Sequence, residues 1–187
     1  IALIGDAHIF HVLNQPYNDP GATATDDGSP IDAVIELNTV EVNLVGEYKV
    51  IWTAVDEEGN KGTAERKVTV YNEANYLIGN YNIHVKSDSS SVIREFDYAD
   101  MILVSGNLNN QVWVNNFNNY QGASVNMKVD SSSITIPNQT VGIPPNQRTF
   151  SGQGFLETST GNFEIQTMEI FSGPPTYHIQ SIVTYIK

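Results

Sequence analysis

The sequence predicts an all-β protein in two parts, a small antiparallel β-sandwich followed by a larger antiparallel β-barrel. Three observations predict it. Tyr48, Val50, Trp52 and Ala54 fall on one face of an extended stretch at a period of two. From Tyr76 onward, about nine short apolar-alternating runs recur at roughly 8–12-residue spacing. Charged residues make up only 16% of the chain, and Asn, Ser, Thr and Gly fill the surface instead; with many tyrosines and β-branched residues, that balance favours strands over helices.

Composition bounds the rest. The 187 residues, 40% hydrophobic, suffice for one large or two small packed domains and speak against wholesale disorder. The net charge of −12, from 21 acidic and 9 basic residues, repels a phosphate backbone, so no nucleic-acid partner is expected. Acidity of this kind keeps an exposed protein soluble. With no cysteine, disulfides, Cys-ligated zinc and a thiol nucleophile are all excluded. No run of 18 apolar residues exists that would span a membrane as a helix. The chain starts at Ile1 rather than Met and reads as trimmed, so a missing signal peptide or lipid-anchor cysteine is no evidence of a cytosolic origin. Membrane association is expected only through a lipid anchor outside this sequence.

In order, residues 1–16 form a leading apolar segment, with Ile9, Phe10, Val12 and Leu13 after Gly5. His8 and His11, three apart, would share a metal on a helix but face opposite ways in an extended segment. Pro20 and Gly21 break the chain. Val34, Glu36, Asn38, Val40 and Val42 predict short strands before Gly46. Gly59-Asn60 marks a hairpin reversal, and Ala64, Arg66, Val68 and Val70 lead back out. Trp52, beside Tyr48, Val50 and Ala54, belongs to the sandwich core.

Leu3 with Gly5, Asp19-Pro-Gly-Ala-Thr-Ala-Thr-Asp26, Val45-Gly46 with Tyr48-x-Val50-x-Trp52, and Asp56-x-x-Gly59-Asn60 resemble the bacterial surface Ig-like domains repeated in secreted adhesins and envelope lipoproteins. The resemblance covers residues 1–72. Two departures are a shortened segment at Asp27-Gly28-Ser29-Pro30 and Trp52 where Tyr is more usual. The resemblance implies a spacer or adhesion module outside the cytoplasm rather than an active site.

Two acidic clusters lie in this half: Asp26, Asp27 and Asp32 around Gly28, and Asp56, Glu57 and Glu58 before Gly59. Converging carboxylates suit calcium, but neither cluster has the alternating spacing of a preorganised loop. Asp, Asn and Gly are also what tight turns require. Turn chemistry is the simpler reading, and no metal site is assigned.

Tyr71-Asn-Glu-Ala-Asn75 reads as a short polar junction that allows the two parts little freedom. The second domain is expected over residues 76–187. Leu77, Gly79, Tyr81, Ile83 and Val85 alternate with Asn80, Asn82, His84 and Lys86, a half-buried strand. Ser87–Ser91 reads as a turn. Strands are expected over Val92–Phe96, Met101–Ser105, Gln111–Phe117, Val125–Val129 and Ile134–Ile136, the last ending at Pro137 because proline cannot continue a central ladder. A loop at 138–147 contains Pro144-Pro145. Phe150–Leu156, Phe163–Phe171 and Tyr177–Ile186 complete the set, the last two joined through Gly173-Pro174-Pro175. Repeated hairpins without a long crossover favour a barrel, which removes exposed edges.

The opening Gly79-x-Tyr81, the strand end Ile134-Thr-Ile-Pro-Asn-Gln139 and the alternating final strand are similar to the lipocalin-like (calycin-like) barrels of small lipoproteins in gut Bacteroidetes. An Ig-like module followed by such a barrel implies an anchored protein of the cell envelope, at the outer-membrane surface or secreted.

Catalytic chemistry has little to stand on. His84 and His178 lie opposite the apolar alternation of their strands, and Asp97 and Asp100 bracket an expected turn with nothing to couple them to a base or metal. No enzyme activity and no cofactor are expected. The binding candidate is Gln111-Val-Trp113-Val-Asn115-Asn-Phe117-Asn-Asn-Tyr120-Gln121. Sugars present apolar faces edged by hydroxyls, which rings and amides match. Trp113, Asn115 and Phe117 share one face of this stretch, Val112 and Val114 the other. If the valines point inward, Trp113 is available outside; if outward, it fills the barrel. Trp113, Asn115, Phe117 and Tyr120 are the predicted ligand-binding residues.

Three readings follow: a non-catalytic surface module that binds glycan through its barrel, a structural or adhesion module that contacts protein partners, and a carrier of a small apolar ligand in the barrel lumen. A lumen filled by Phe150, Phe155, Phe163 and Tyr185 would exclude the third.

Overall fold

The computed structural model describes residues 1–89, 92–143, 146–171 and 176–187. They form two compact units, residues 1–73 with 106–109, and residues 74–105 with 110–187.

The first unit holds two sheets. β1 (Ala2–Leu3), β3 (Ala22–Asp26) and β4 (Ser29–Ile31) form one, in the order β1-β3-β4. β2 (His8–Val12), β5 (Val34–Asn38), β6 (Gly46–Val55) and β7 (Lys61–Tyr71) form the other, in the order β2-β7-β6-β5, with β2 parallel to β7. The alternation of β6 works as expected: Val50 and Ala54 are buried, and Tyr48 and Trp52 pack against a core of Leu13, Val50, Val68 and Val70. β5 departs from simple alternation. Its register with β6 shifts between Ile35 and Leu37, and all five of its residues are exposed at the sheet edge. The segment 106–109 belongs to this unit because Val45 N–H donates to the Gly106 carbonyl at 2.8 Å and Asn72 Nδ2 to that of Leu108 at 2.9 Å.

The second unit is a closed, all-antiparallel barrel of eight strands: β8 (Gly79–Ser89), β9 (Val92–Val104), β10 (Gln111–Val114), β11 (Val125–Asp130), β12 (Ser133–Val141), β13 (Arg148–Glu157), β14 (Asn162–Phe171) and β15 (Tyr177–Ile186). Each strand pairs with its neighbour in sequence, and β15 closes on β8. Tyr81, Ile83, Ile102, Val112, Ile165, Val183 and their neighbours fill the interior.

Four expectations about this half need correction. The two strands expected at 92–96 and 101–105 are one, because β9 pairs with β8 without interruption from Val92 to Ile102; this reduces nine expected strands to eight. Pro137 does not end β12. The ladder with β13 skips from Ile136 to Gln139, so the residue without an N–H sits in the irregularity. Ser87 and Ser89 lie in β8 rather than in a turn, while residues 90 and 91 of that turn, Pro144-Pro145 and Gly173-Pro174-Pro175 fall outside the described residues. The polar junction at 71–75 contains two fully buried residues, Asn72 and Ala74, the latter lying in the 3-10 turn Glu73–Leu77 and packed in the barrel core.

Gly154 shows how closely strands approach in the barrel wall. A Cβ there would lie 1.8 Å from the Glu164 carbonyl oxygen of β14, a position only glycine can hold.

Candidate functional site

The stretch predicted to bind ligand is divided between the two sides of the barrel wall. Val112 and Val114 point inward and are fully buried, so Trp113 faces outward on β10, half-buried between Leu103 and Asn126 of the flanking strands. The period-two face then fails, because β10 stops at Val114. Asn116 N–H donates to Asp100 Oδ2 at 2.7 Å, Gly122 N–H to Asn116 Oδ1 at 3.2 Å, and Phe117 N–H to the Ala123 carbonyl. Asn118 and Asn119 take left-handed backbone conformations that asparagine tolerates better than most residues. This turn carries Phe117 into the core, fully buried and edge-on to Phe150 with ring centroids 5.1 Å apart. Asn115 stays exposed. A single platform of Trp113, Asn115 and Phe117 therefore does not form.

Tyr120, the fourth predicted residue, lies elsewhere. Its ring sits beneath the guanidinium of Arg148, with Cζ 3.8 Å from the ring centroid, and Phe171 lies 5.0 Å from the same Cζ. Arg148 Nη1 bonds Glu169 Oε1, and Glu169 is 1% exposed. Burial, followed by the Glu169 carboxylate, pushes the Tyr120 phenol up to about 12. Tyr120, Arg148 and Glu169 line a cavity of about 740 Å³ at one end of the lumen, together with Phe96, Asn118, Tyr177 and Ser181. Asn118 Oδ1 and Ser181 Oγ are buried there with no hydrogen-bond partner among the described residues. Buried polar atoms are normally paired with protein, water or ligand, so the cavity has unmet hydrogen-bonding capacity beside aromatic surface.

Farther along the barrel, aromatic side chains fill part of the interior. Phe150, Phe163 and Tyr185 are buried as expected, with Phe163 and Tyr185 stacked at 4.2 Å. Phe155 is not part of this filling. It points outward from β13 and is 82% exposed, because it is one residue out of phase with Phe150 and Leu156.

Sequence reasoning passed over Arg148, Glu169 and Ser181, and held Asn118 only as an unnamed part of the candidate stretch 111–121. A signal for Glu169 was present: it continues the inward series Phe163, Ile165, Thr167 at a period of two, and an ionised group on an inward face needs a partner or a role. Arg148 precedes Phe150 in the same way.

Three other clusters resolve differently. Asp97 and Asp100 do not bracket a turn but stand in the middle of β9. Asp97 is coupled to a base after all, lying 2.8 Å from His84 Nδ1 across the β8–β9 ladder, with both side chains well exposed. The acidic turns of the first unit converge: carboxylate oxygens of Asp26, Asp56 and Glu58 lie within 4.8 Å of one another. Asp56 accepts hydrogen bonds from Asn60 N–H at 2.7 Å and Asn60 Nδ2 at 2.8 Å, as a turn requires. The strongest polar constellation there is Asp19 with Arg66. Arg66, fully buried, places Nε 2.9 Å from Asp19 Oδ2 and donates to the carbonyls of Ile4, Asp6 and Gly21. Asp19 also accepts from Tyr17 Oη, Gly21 N–H and Trp52 Nε1. Burial, followed by the Asp19 carboxylate, pushes the Tyr17 phenol up.

No curated protein matches the chain. It is similar over 98% of its length, and 98% of the other chain's, to the crystal structure of the lipoprotein BT2262 from Bacteroides thetaiotaomicron, at 19% identity and a TM-score of 0.42. Residues 1–70, which include the Asp19–Arg66 pair, match the family model of the bacterial surface protein Ig-like domain.

Proposed function

We propose that this protein is a surface module of a bacterial cell envelope whose barrel binds a saccharide at one end of its lumen. The Ig-like match of residues 1–70 supports the surface location. The observation that carries the binding reading is the cavity of about 740 Å³, where the rings of Phe96, Tyr120 and Tyr177 stand beside Asn118, Arg148, Glu169 and Ser181. A sugar ring offers an apolar face to such rings and hydroxyls to such amide, hydroxyl and charged groups. Unpaired Asn118 Oδ1 and Ser181 Oγ supply acceptors for those hydroxyls. A purely apolar ligand would leave them unmet and would have to be buried against an ion pair. The lumen-carrier reading therefore becomes one for a polar ligand.

Affinity electrophoresis of the intact chain through plant, host and bacterial polysaccharides tests this, beside Tyr120→Ala and Trp113→Ala. Retardation weakened roughly three- to tenfold by Tyr120→Ala, the worth of one aromatic contact, and kept by Trp113→Ala places the sugar in the lumen mouth. Loss in Trp113→Ala alone moves the site to the outer wall. Retardation by no polysaccharide would overturn the saccharide reading.

A further inference from the structure

The charges at the lumen mouth are unlike those of the rest of the protein. The whole chain carries −12, yet both arginines of the barrel line this cavity, Arg148 from β13 and Arg94 from β9. Glu169 is the one carboxylate among the described residues lining it, and it is already paired with Arg148. Arg94 lies at the exposed end of β9, in the inward phase with Phe96 and Tyr98, and has no side-chain partner among the described residues. The mouth is thus a net cationic pocket in an anionic protein.

The two guanidiniums are not equivalent. Arg148 is held flat by Tyr120 and Phe171 and tied to Glu169, which fixes its planar fork. Arg94 has no such anchor among the described residues and stands where a ligand would enter. The screening length at physiological ionic strength is about 8 Å, so these nearby charges outweigh the distant acidic surface for a group inside the mouth. Buried Asn118 and Ser181 lie deeper, where hydroxyls would reach them.

We infer that the ligand of this mouth carries a carboxylate, as an acidic sugar does, with Arg94 as the partner of the carboxylate and Arg148–Glu169 orienting the ring. The inference rests on the proposed saccharide site and narrows its ligand class.

The test is an NMR titration of the intact, isotope-labelled chain with glucuronate, glucose and cyclohexanecarboxylate, repeated with Arg94→Gln. The expected result is that glucuronate shifts the amides of Asn118, Glu169 and Ser181 and binds at least tenfold more tightly than glucose. Arg94→Gln should weaken glucuronate about tenfold, as loss of one charge-assisted contact does, and leave glucose unchanged. Arg94 is exposed, so this variant is expected to fold. Equal binding of glucose and glucuronate, insensitive to Arg94→Gln, would overturn the carboxylate inference while the saccharide site stands. Arg94-dependent binding of cyclohexanecarboxylate as tight as that of glucuronate would uphold the carboxylate and overturn the saccharide. No shift at the mouth with any probe would overturn both.

Discussion

Replacing Asp19 by Ala removes the counter-charge of a guanidinium that has no access to water. Arg66 is 0% exposed and the Asp19 side chain 5%, so the cation left behind keeps only the carbonyls of Ile4, Asp6 and Gly21. Breaking a buried pair by removing one partner costs about 3–5 kcal/mol. Three further donors, Tyr17 Oη, Gly21 N–H and Trp52 Nε1, lose their acceptor in the same step. A unit whose main segment is residues 1–73 has a total stability of about 4–11 kcal/mol at the usual value per residue. The loss is therefore a large fraction of the whole. At about 4–8 °C per kcal/mol for a domain of this size, its unfolding midpoint falls by about 12–40 °C. The assay is thermal unfolding of the intact chain followed through the Trp52 indole N–H resonance, which reports the bond to Asp19 Oδ1 at 3.1 Å. Asp19→Leu combined with Arg66→Met recovers part of the loss, since apolar replacement of a buried pair is often neutral but the three carbonyls still lose their donor. A midpoint lowered by less than about 4 °C in Asp19→Ala, or a double variant less stable than the single one, would refute the reasoning.

Two other outcomes follow from the same structure. Burial holds the Tyr98 phenol up at about 12, and does the same for Tyr120, so the folded barrel keeps protons that an unfolded chain releases near pH 10. Stability is then fully present below pH about 10 and falls as pH rises toward 12; ultraviolet titration of tyrosinate should show these phenols ionising late or together with unfolding, and uniform titration near pH 10 with the fold intact would contradict it. Phe150→Ala should cost about 3–5 kcal/mol in denaturant unfolding, whereas Phe155→Ser, at a side chain 82% exposed, should stay within about 0.5 kcal/mol; comparable losses at both would mean that the inward phase of β13 is misassigned.

The local pattern carried the architecture. Period-two alternation through Tyr48–Ala54, Tyr81–Val85 and Phe163–Thr167 depends only on side chains pointing to opposite faces of a strand, so strands, their faces and the all-β class could be read without knowing any partner. What the alternation could not reveal is where a ladder is continuous. The polar run at Asp97–Asp100 looks like a turn alone, but opposite β8 it is paired at every residue, and Pro137 is accommodated because a register shift removes the need for its N–H. Phe117 was misplaced for the same reason. A turn of left-handed asparagines, closed by Asp100 from another strand, rotates it out of phase with Trp113. Charge partners separated along the chain were equally invisible. Asp19 and Arg66, Arg148 and Glu169, and Asp26 with Asp56 and Glu58 meet only because folding brings distant segments within a few ångströms of one another. Burial then decides what such meetings are worth, since a pair removed from water interacts far more strongly than the same pair in solvent.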